Sequence, residues 1–252
     1  FLAVTLAAGV EEGSISLVRR KAIMSPQLTT LFFLFAVLAV GIWFTRYHNF
    51  RRGSQPMPVP VKGPVLAAEL IVAMPQLEAI LQGPTPEDTA NNRRVFAGNL
   101  EIDTFFIAAY TGLFLAIAWE IRLAATPQPG LTWIAATLFA IGAAVADLVE
   151  NHRLQAGLEG RRFRPVRPWG LAKWLLVYLV LATEAPFFWV YPGASGWLLI
   201  LFRAAAAVFG LTAIAGIAAV VLRKDGLLET SLPGMSIGFL LLLSAYLAVL
   251  LG

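Results

Sequence analysis

Cysteine is absent from this chain, and histidine occurs only at His48 and His152. Disulfides, thiolate metal sites and cysteine nucleophiles are therefore excluded, and a multi-histidine metal site has too few ligands. Charge is scarce as well: only 13% of the 252 residues are Asp, Glu, Lys or Arg. There is no internal repeat, no Gly-rich phosphate loop and no nucleophile-elbow pattern. What is abundant is apolar. Hydrophobic residues make up 58% of the chain and the mean hydropathy is +0.74, outside the range of soluble domains and inside that of polytopic membrane proteins. The net charge of +4 and pI near 9.7 do not indicate nucleic acid, because the basic residues fall in loops between apolar spans, as cytoplasmic loops beside anionic lipid do.

Crossing ~30 Å of hydrocarbon takes ~20 apolar residues. Six stretches meet that ruler, at about 27–45, 99–122, 131–151, 169–191, 196–222 and 232–251. The expected fold is all-α: a polytopic membrane helix bundle of about six transmembrane helices, forming one domain over 27–252, with a long loop at 46–98. Residues 1–26 are an N-terminal segment, interfacial or truncated, since Phe1–Val10 is too short to span alone. The long loop opens with Gly- and Pro-rich sequence at 52–60, which opposes a helix. Val65 to Gln82 is apolar but interrupted by Glu69, Pro75 and Glu78, so interfacial helices are expected in the 64–95 region, this stretch forming one or two short ones that lie in the membrane interface or pack against the bundle. Thr85-Pro86-Glu87-Asp88 reads as a helix start with cap, proline and acids in order, so span two either extends from this cytoplasmic helix or is broken from it at Gly98-Asn99.

Placing the loops after spans one, three and five on one side collects fourteen of the nineteen Lys and Arg residues. Lys173 is counted among them as a charge of the loop that starts at Arg153. The positive-inside rule makes that side cytoplasmic and both ends of the chain external, against which the basic run Arg19-Arg20-Lys21 argues weakly.

Spans two and three form a hairpin, so the start of one lies beside the end of the other. Asp103 should then approach Asp147 and Glu150, the only place where ionisable groups converge in the sequence reading. Asp147, Glu150 and Asn151 share a helix face by their i, i+3, i+4 spacing, above a stripe of Ala136, Ala140, Ala143 and Ala144 that permits close helix approach. Asp103, Phe106, Ile107 and Tyr110 form the facing surface. Three carboxylates held together must share a proton or bind a cation. As metal ligands, Asp103, Asp147 and Glu150 would take a divalent cation as cofactor. The plainer alternative is that Arg153, Arg161 or Arg94 neutralises them. Glu184 and Arg203 lie at similar distances from the turn at 191–196, and are expected to form a structural ion pair.

The pattern Asp103-x-x-Phe106-Ile107-x-x-Tyr110, followed by Ala146-Asp147-x-x-Glu150-Asn151 and preceded by Glu69-Leu70 and Gln76-Leu77-Glu78, resembles a family of bacterial multi-pass membrane proteins of uncharacterised function. The resemblance covers about 65–151 and implies a place in a bacterial inner membrane, but no activity. Three functions remain open. The first is binding or moving a small solute or ion through an acidic site between spans two and three, where Tyr110 and Asn151 join the acids. The second is a metal-dependent enzyme acting on a lipid phosphate headgroup at the cytoplasmic face, with Arg153, Arg161, Arg162 and Arg164 holding the phosphate. The third is a non-catalytic accessory subunit using the small residues of span five, Ala204 to Ala207, Gly210, Ala213 and Gly216, in a homo-oligomer or larger membrane complex. Membrane lipids, including anionic lipid on the cytoplasmic side, are the expected partners, and nucleic acid is not.

Overall fold

Long apolar runs bounded by polar loops leave the backbone one way to satisfy its hydrogen bonds in hydrocarbon, within helices. The computed structural model describes residues 26–43, 51, 56–124 and 130–251. In chain order these form α1 (Pro26–Trp43), α2 (Pro64–Glu69), α3 (Met74–Leu81), α4 (Pro86–Ala124), α5 (Thr132–Leu158), α6 (Arg167–Trp189), α7 (Gly196–Val221) and α8 (Asp225–Leu251). No strand occurs among the described residues. Six helices, α1 and α4 to α8, are long and apolar enough to cross a membrane. The protein is thus an all-α, multi-pass membrane bundle. The expected N-terminal segment lies, apart from Pro26, outside the described residues.

Local chemistry sets several helix ends. The Thr85 hydroxyl accepts the Asp88 N–H at 3.1 Å, with Pro86 as the first helical residue, as the sequence leads one to expect. Of the two courses open at Gly98-Asn99 the chain takes the continuous one, and α4 runs unbroken for 39 residues. A single glycine costs a helix only ~1 kcal/mol, which packing readily overrides. Helix α8 likewise begins at Asp225, seven residues before the apolar stretch that marks its span.

Helices α4 to α8 pack mainly against their sequence neighbours. Side chains of α8 meet α4 where Phe239 lies against Phe114 and Tyr246 donates to Glu120 at 2.9 Å. Helix α1 docks on α4 through Thr30, whose hydroxyl donates to Glu120. It also presses Phe33 on Gly112, where an added Cβ would sit 2.2 Å from the ring. Outward positions such as Phe32, Leu138, Ile200, Leu211, Ile214 and Leu240 are exposed apolar side chains, suited to lipid.

The 56–71 connection is not a loose surface loop. Glu229 accepts the backbone N–H groups of Lys62 (2.9 Å) and Gly63 (3.0 Å), and the Ile71 carbonyl accepts those of Val166 (3.2 Å) and Arg167 (2.9 Å). Arg167 then makes a forked pair with Asp225, both bonds 2.8 Å, tying the starts of α6 and α8. Helix α2 is therefore packed inside the bundle edge, with Leu66, Ala67, Ala68 and Glu69 buried. The expectation of short helices in this region holds. Their burial follows from the bonds to α6 and α8.

Candidate functional site: a lysine held by buried carboxylates

The bundle brings α2, α4, α5 and α6 to one buried polar cluster. Lys173 Nζ lies 3.0 Å from Glu69 Oε1, 3.1 Å from Asp147 Oδ1 and 3.0 Å from Glu150 Oε1. All four side chains are buried. The second Asp147 oxygen accepts the Tyr110 hydroxyl at 3.0 Å. The Trp174 indole N–H donates to Glu69 Oε2 at 2.6 Å. Asn151 Nδ2 donates to Asp103 Oδ2 at 2.6 Å. Burial raises the Glu69 carboxyl above its ordinary range, and the Lys173 ammonium works against that rise.

Helical phase explains who is present. On α6 the buried positions include Gly170, Lys173, Val177, Leu181 and Glu184, one face at three- and four-residue steps. On α5 the buried positions Ala136, Ala140, Ala143, Asp147, Glu150 and Leu154 form another such face. Gly170 is required here. A Cβ at that position would lie 2.5 Å from the Glu69 carbonyl oxygen and 3.0 Å from Glu150 Oε2. Glu150 Oε2 itself is buried without a hydrogen-bond partner.

Of the hairpin residues, Asp147 and Glu150 share Lys173, Tyr110 bonds Asp147, Asn151 bonds Asp103, and Asp103 lines the same cavity as Asp147. The divalent-metal assignment is not supported. Lys173 occupies the centre that a metal would take, and among the described residues no group of acids or histidines has a metal-holding arrangement. Lys173 is not a charge of the loop that starts at Arg153, since it lies within α6 and is buried. Sequence reading missed Glu69 and Trp174 as well. The helical phase of α6 was the one available signal for Lys173. Glu69 stands out in the sequence only as an acid interrupting an apolar stretch, which does not say what it meets.

A cavity of about 330 Å³ opens beside the cluster. Glu69, Asp103, Tyr110, Asp147, Lys173 and Trp174 form its polar end, and Leu66, Phe106, Phe114, Val177, Met235 and Phe239 are among its apolar walls. Asp103 is the acid on this wall with no cationic group within 4.0 Å among the described residues. Beyond Phe114 and Phe239, buried rings continue through Phe209 (5.3 Å from Phe239) to Phe188 (6.3 Å from Phe209). Along α4, Phe114 stands between Tyr110 and a second buried acid, Glu120, which accepts hydroxyl bonds from Thr30, Tyr191 (3.1 Å) and Tyr246 (2.9 Å).

Glu184 and Arg203 are not paired. Arg203 is exposed, donates to the Trp189 carbonyl at 3.2 Å and lies 5.7 Å from the Trp189 ring centroid. Glu184 is buried, with Oε1 unpartnered. Equal depth did not suffice, because Arg203 shares its helix face with the exposed Ile200, Ala207, Leu211 and Ile214. The small residues of α7 are partly used inside the bundle: Ala205, Ala206, Ala213 and Gly216 are buried. Arg153, Arg161, Arg162 and Arg164 do not face the carboxylate cluster but line a separate cavity on the outer side of α5. No family model, curated protein or solved structure matches this chain.

Proposed function

We propose that the protein binds, and carries within a cell membrane, a small amphipathic solute with a cationic head, at the acidic end of the cavity between α2, α4, α5, α6 and α8. The observation that carries this reading is the charge balance of the cavity wall. Three carboxylates of that wall, Glu69, Asp103 and Asp147, with Glu150 behind it, are grouped around the single ammonium of Lys173. A partly dehydrated site with that excess of acid calls for protons or a further cation. Asp103 is the acid left for a ligand, with Phe106 and Tyr110 offering aromatic faces beside it. The volume lies at the lower end for small-molecule sites, which restricts the solute to a modest size. A carrier also needs its path closed on one side, and the aromatic layer from Phe114 to Phe188 supplies such a closure.

Detergent-solubilised protein should be heated in the presence of alkylammonium, alkyl sulfonate and alcohol of equal chain length. Alkylammonium alone should raise the melting temperature, and Asp103→Asn should remove the rise while leaving the unliganded melt nearly unchanged. Equal stabilisation by sulfonate or alcohol would refute a cation-selective site. Proton uptake by vesicles carrying the protein, driven by an outward gradient of the same alkylammonium, then tests carriage.

A further inference from the structure

On the outer side of α5, Arg153, Arg161, Arg162 and Arg164 join His152 around a cavity of about 560 Å³, which shares no residue with the carboxylate cavity. Arg161 is paired with Glu159, while Arg162 and Arg164 have no carboxylate partner among the described residues. Arg153 is held in place, donating to the Pro165 carbonyl and lying 5.3 Å from the Trp169 ring centroid. Tryptophan at that level is the expected anchor at the membrane–water boundary.

The floor of this basic cup is apolar, and it continues along the helix. Leu138, Ile141, Val145 and Leu148 are all exposed and fall at steps of three and four residues, one stripe facing away from the bundle. From Leu148 to Leu138 the stripe covers about 15 Å at ~1.5 Å per residue, half of the ~30 Å hydrocarbon core. We infer that this surface is a binding site for one anionic phospholipid of the adjacent leaflet, its phosphate held by the arginines and one acyl chain lying along the stripe. Guanidinium suits the task, because its planar fork of donors matches phosphate oxygens and stays charged at any physiological pH. A soluble phosphate would use the cup alone, whereas a phospholipid uses the cup and the stripe that runs on from it. The site is independent of the carboxylate cluster and stands whether or not that cluster binds a cation.

The test titrates the full chain in detergent with short-chain phosphatidylglycerol, phosphatidylcholine and inorganic phosphate. Phosphatidylglycerol should bind saturably, and phosphatidylcholine much more weakly. Arg162→Gln with Arg164→Gln should weaken phosphatidylglycerol about thirtyfold, roughly fivefold for each arginine. Leu148→Gln should weaken the lipid and leave inorganic phosphate unaffected. The matched pair Arg93→Gln with Arg94→Gln, exposed residues outside the cup, should change affinity less than twofold. An equal loss from that control pair would show a diffuse charge effect and overturn the site. Inorganic phosphate competing as well as the lipid would overturn the lipid assignment, and unsaturable binding would overturn both.

Discussion

Replacing Lys173 by methionine keeps an unbranched stem of similar length and removes the ammonium, its charge and its N–H donors together. Three contacts of 3.0, 3.1 and 3.0 Å then vanish, to Glu69, Asp147 and Glu150. At an effective dielectric of about 20, each is worth ~5 kcal/mol of Coulomb attraction, most of it offset by the cost of taking the charges out of water. The net loss on removing one partner of a buried pair is ~3–5 kcal/mol, because its mates stay behind uncompensated. Lys173→Met should therefore lower the melting temperature of the detergent-solubilised protein markedly near neutral pH. Acid should rescue it, since protons can then replace the missing ammonium. The sign follows from Glu69. Its folded-state value is raised by burial, so its contribution to stability is complete below the ordinary value of 4.5 and is lost as pH rises through the folded value. The variant should thus lose stability more steeply than the native protein over that window, and adding Glu69→Gln should flatten the curve. A variant destabilised by less than ~1 kcal/mol with an unchanged pH profile would refute the view that Lys173 holds the cluster together.

Gly170→Ala brings a methyl against the Glu69 carbonyl and Glu150, so it should cost ~1–3 kcal/mol and also weaken alkylammonium binding, whereas Gly210→Ala, with open space around it, should do neither. For topology, cysteines at Ala156 and Ser195 lie just before the ends of α5 and α7 that flank α6, so an impermeant thiol reagent should reach them from opposite sides of the membrane. Labelling of both from one side would overturn the membrane-crossing arrangement of α6.

The bundle was legible because hydropathy and length decide spans almost alone. The acids of α4 and α5 were legible because ionisable residues are rare in such sequence, and a hairpin fixes which ends meet. Lys173 was hidden by its neighbours. It follows the basic stretch from Arg161 to Arg167, and only the helical phase of α6 distinguishes a core position from one more loop charge. Glu69 was hidden by topology. Its place depends on the bonds that Glu229 and the Ile71 carbonyl make with segments far away in sequence, and no local pattern encodes them. The pairing expected of Glu184 with Arg203 failed for a related reason. Counting from a turn gives depth in the membrane, but which way a side chain faces depends on rotation about the helix axis. Rotation is set by the whole apolar surface of a helix rather than by one charge.

The unbroken course of α4 has a mechanical consequence. At ~1.5 Å per residue its 39 residues reach ~58 Å, nearly twice the ~30 Å of hydrocarbon. Its outer part is gripped by Asn92, whose amide donates to the Leu81 and Arg51 carbonyls, each at 3.1 Å. Farther along the same rod stand Asp103, Tyr110, Phe114 and Glu120. With no joint between them, a twist applied at Asn92 turns the acid, the aromatic closure and the distant Glu120 together, as a key turns every ward on its shaft. Opening the cavity by moving α4 would disturb both buried polar clusters in one stroke. A motion confined to one of them has to come from a helix that serves only that one, as α2 and α5 serve the carboxylates and α1 serves Glu120.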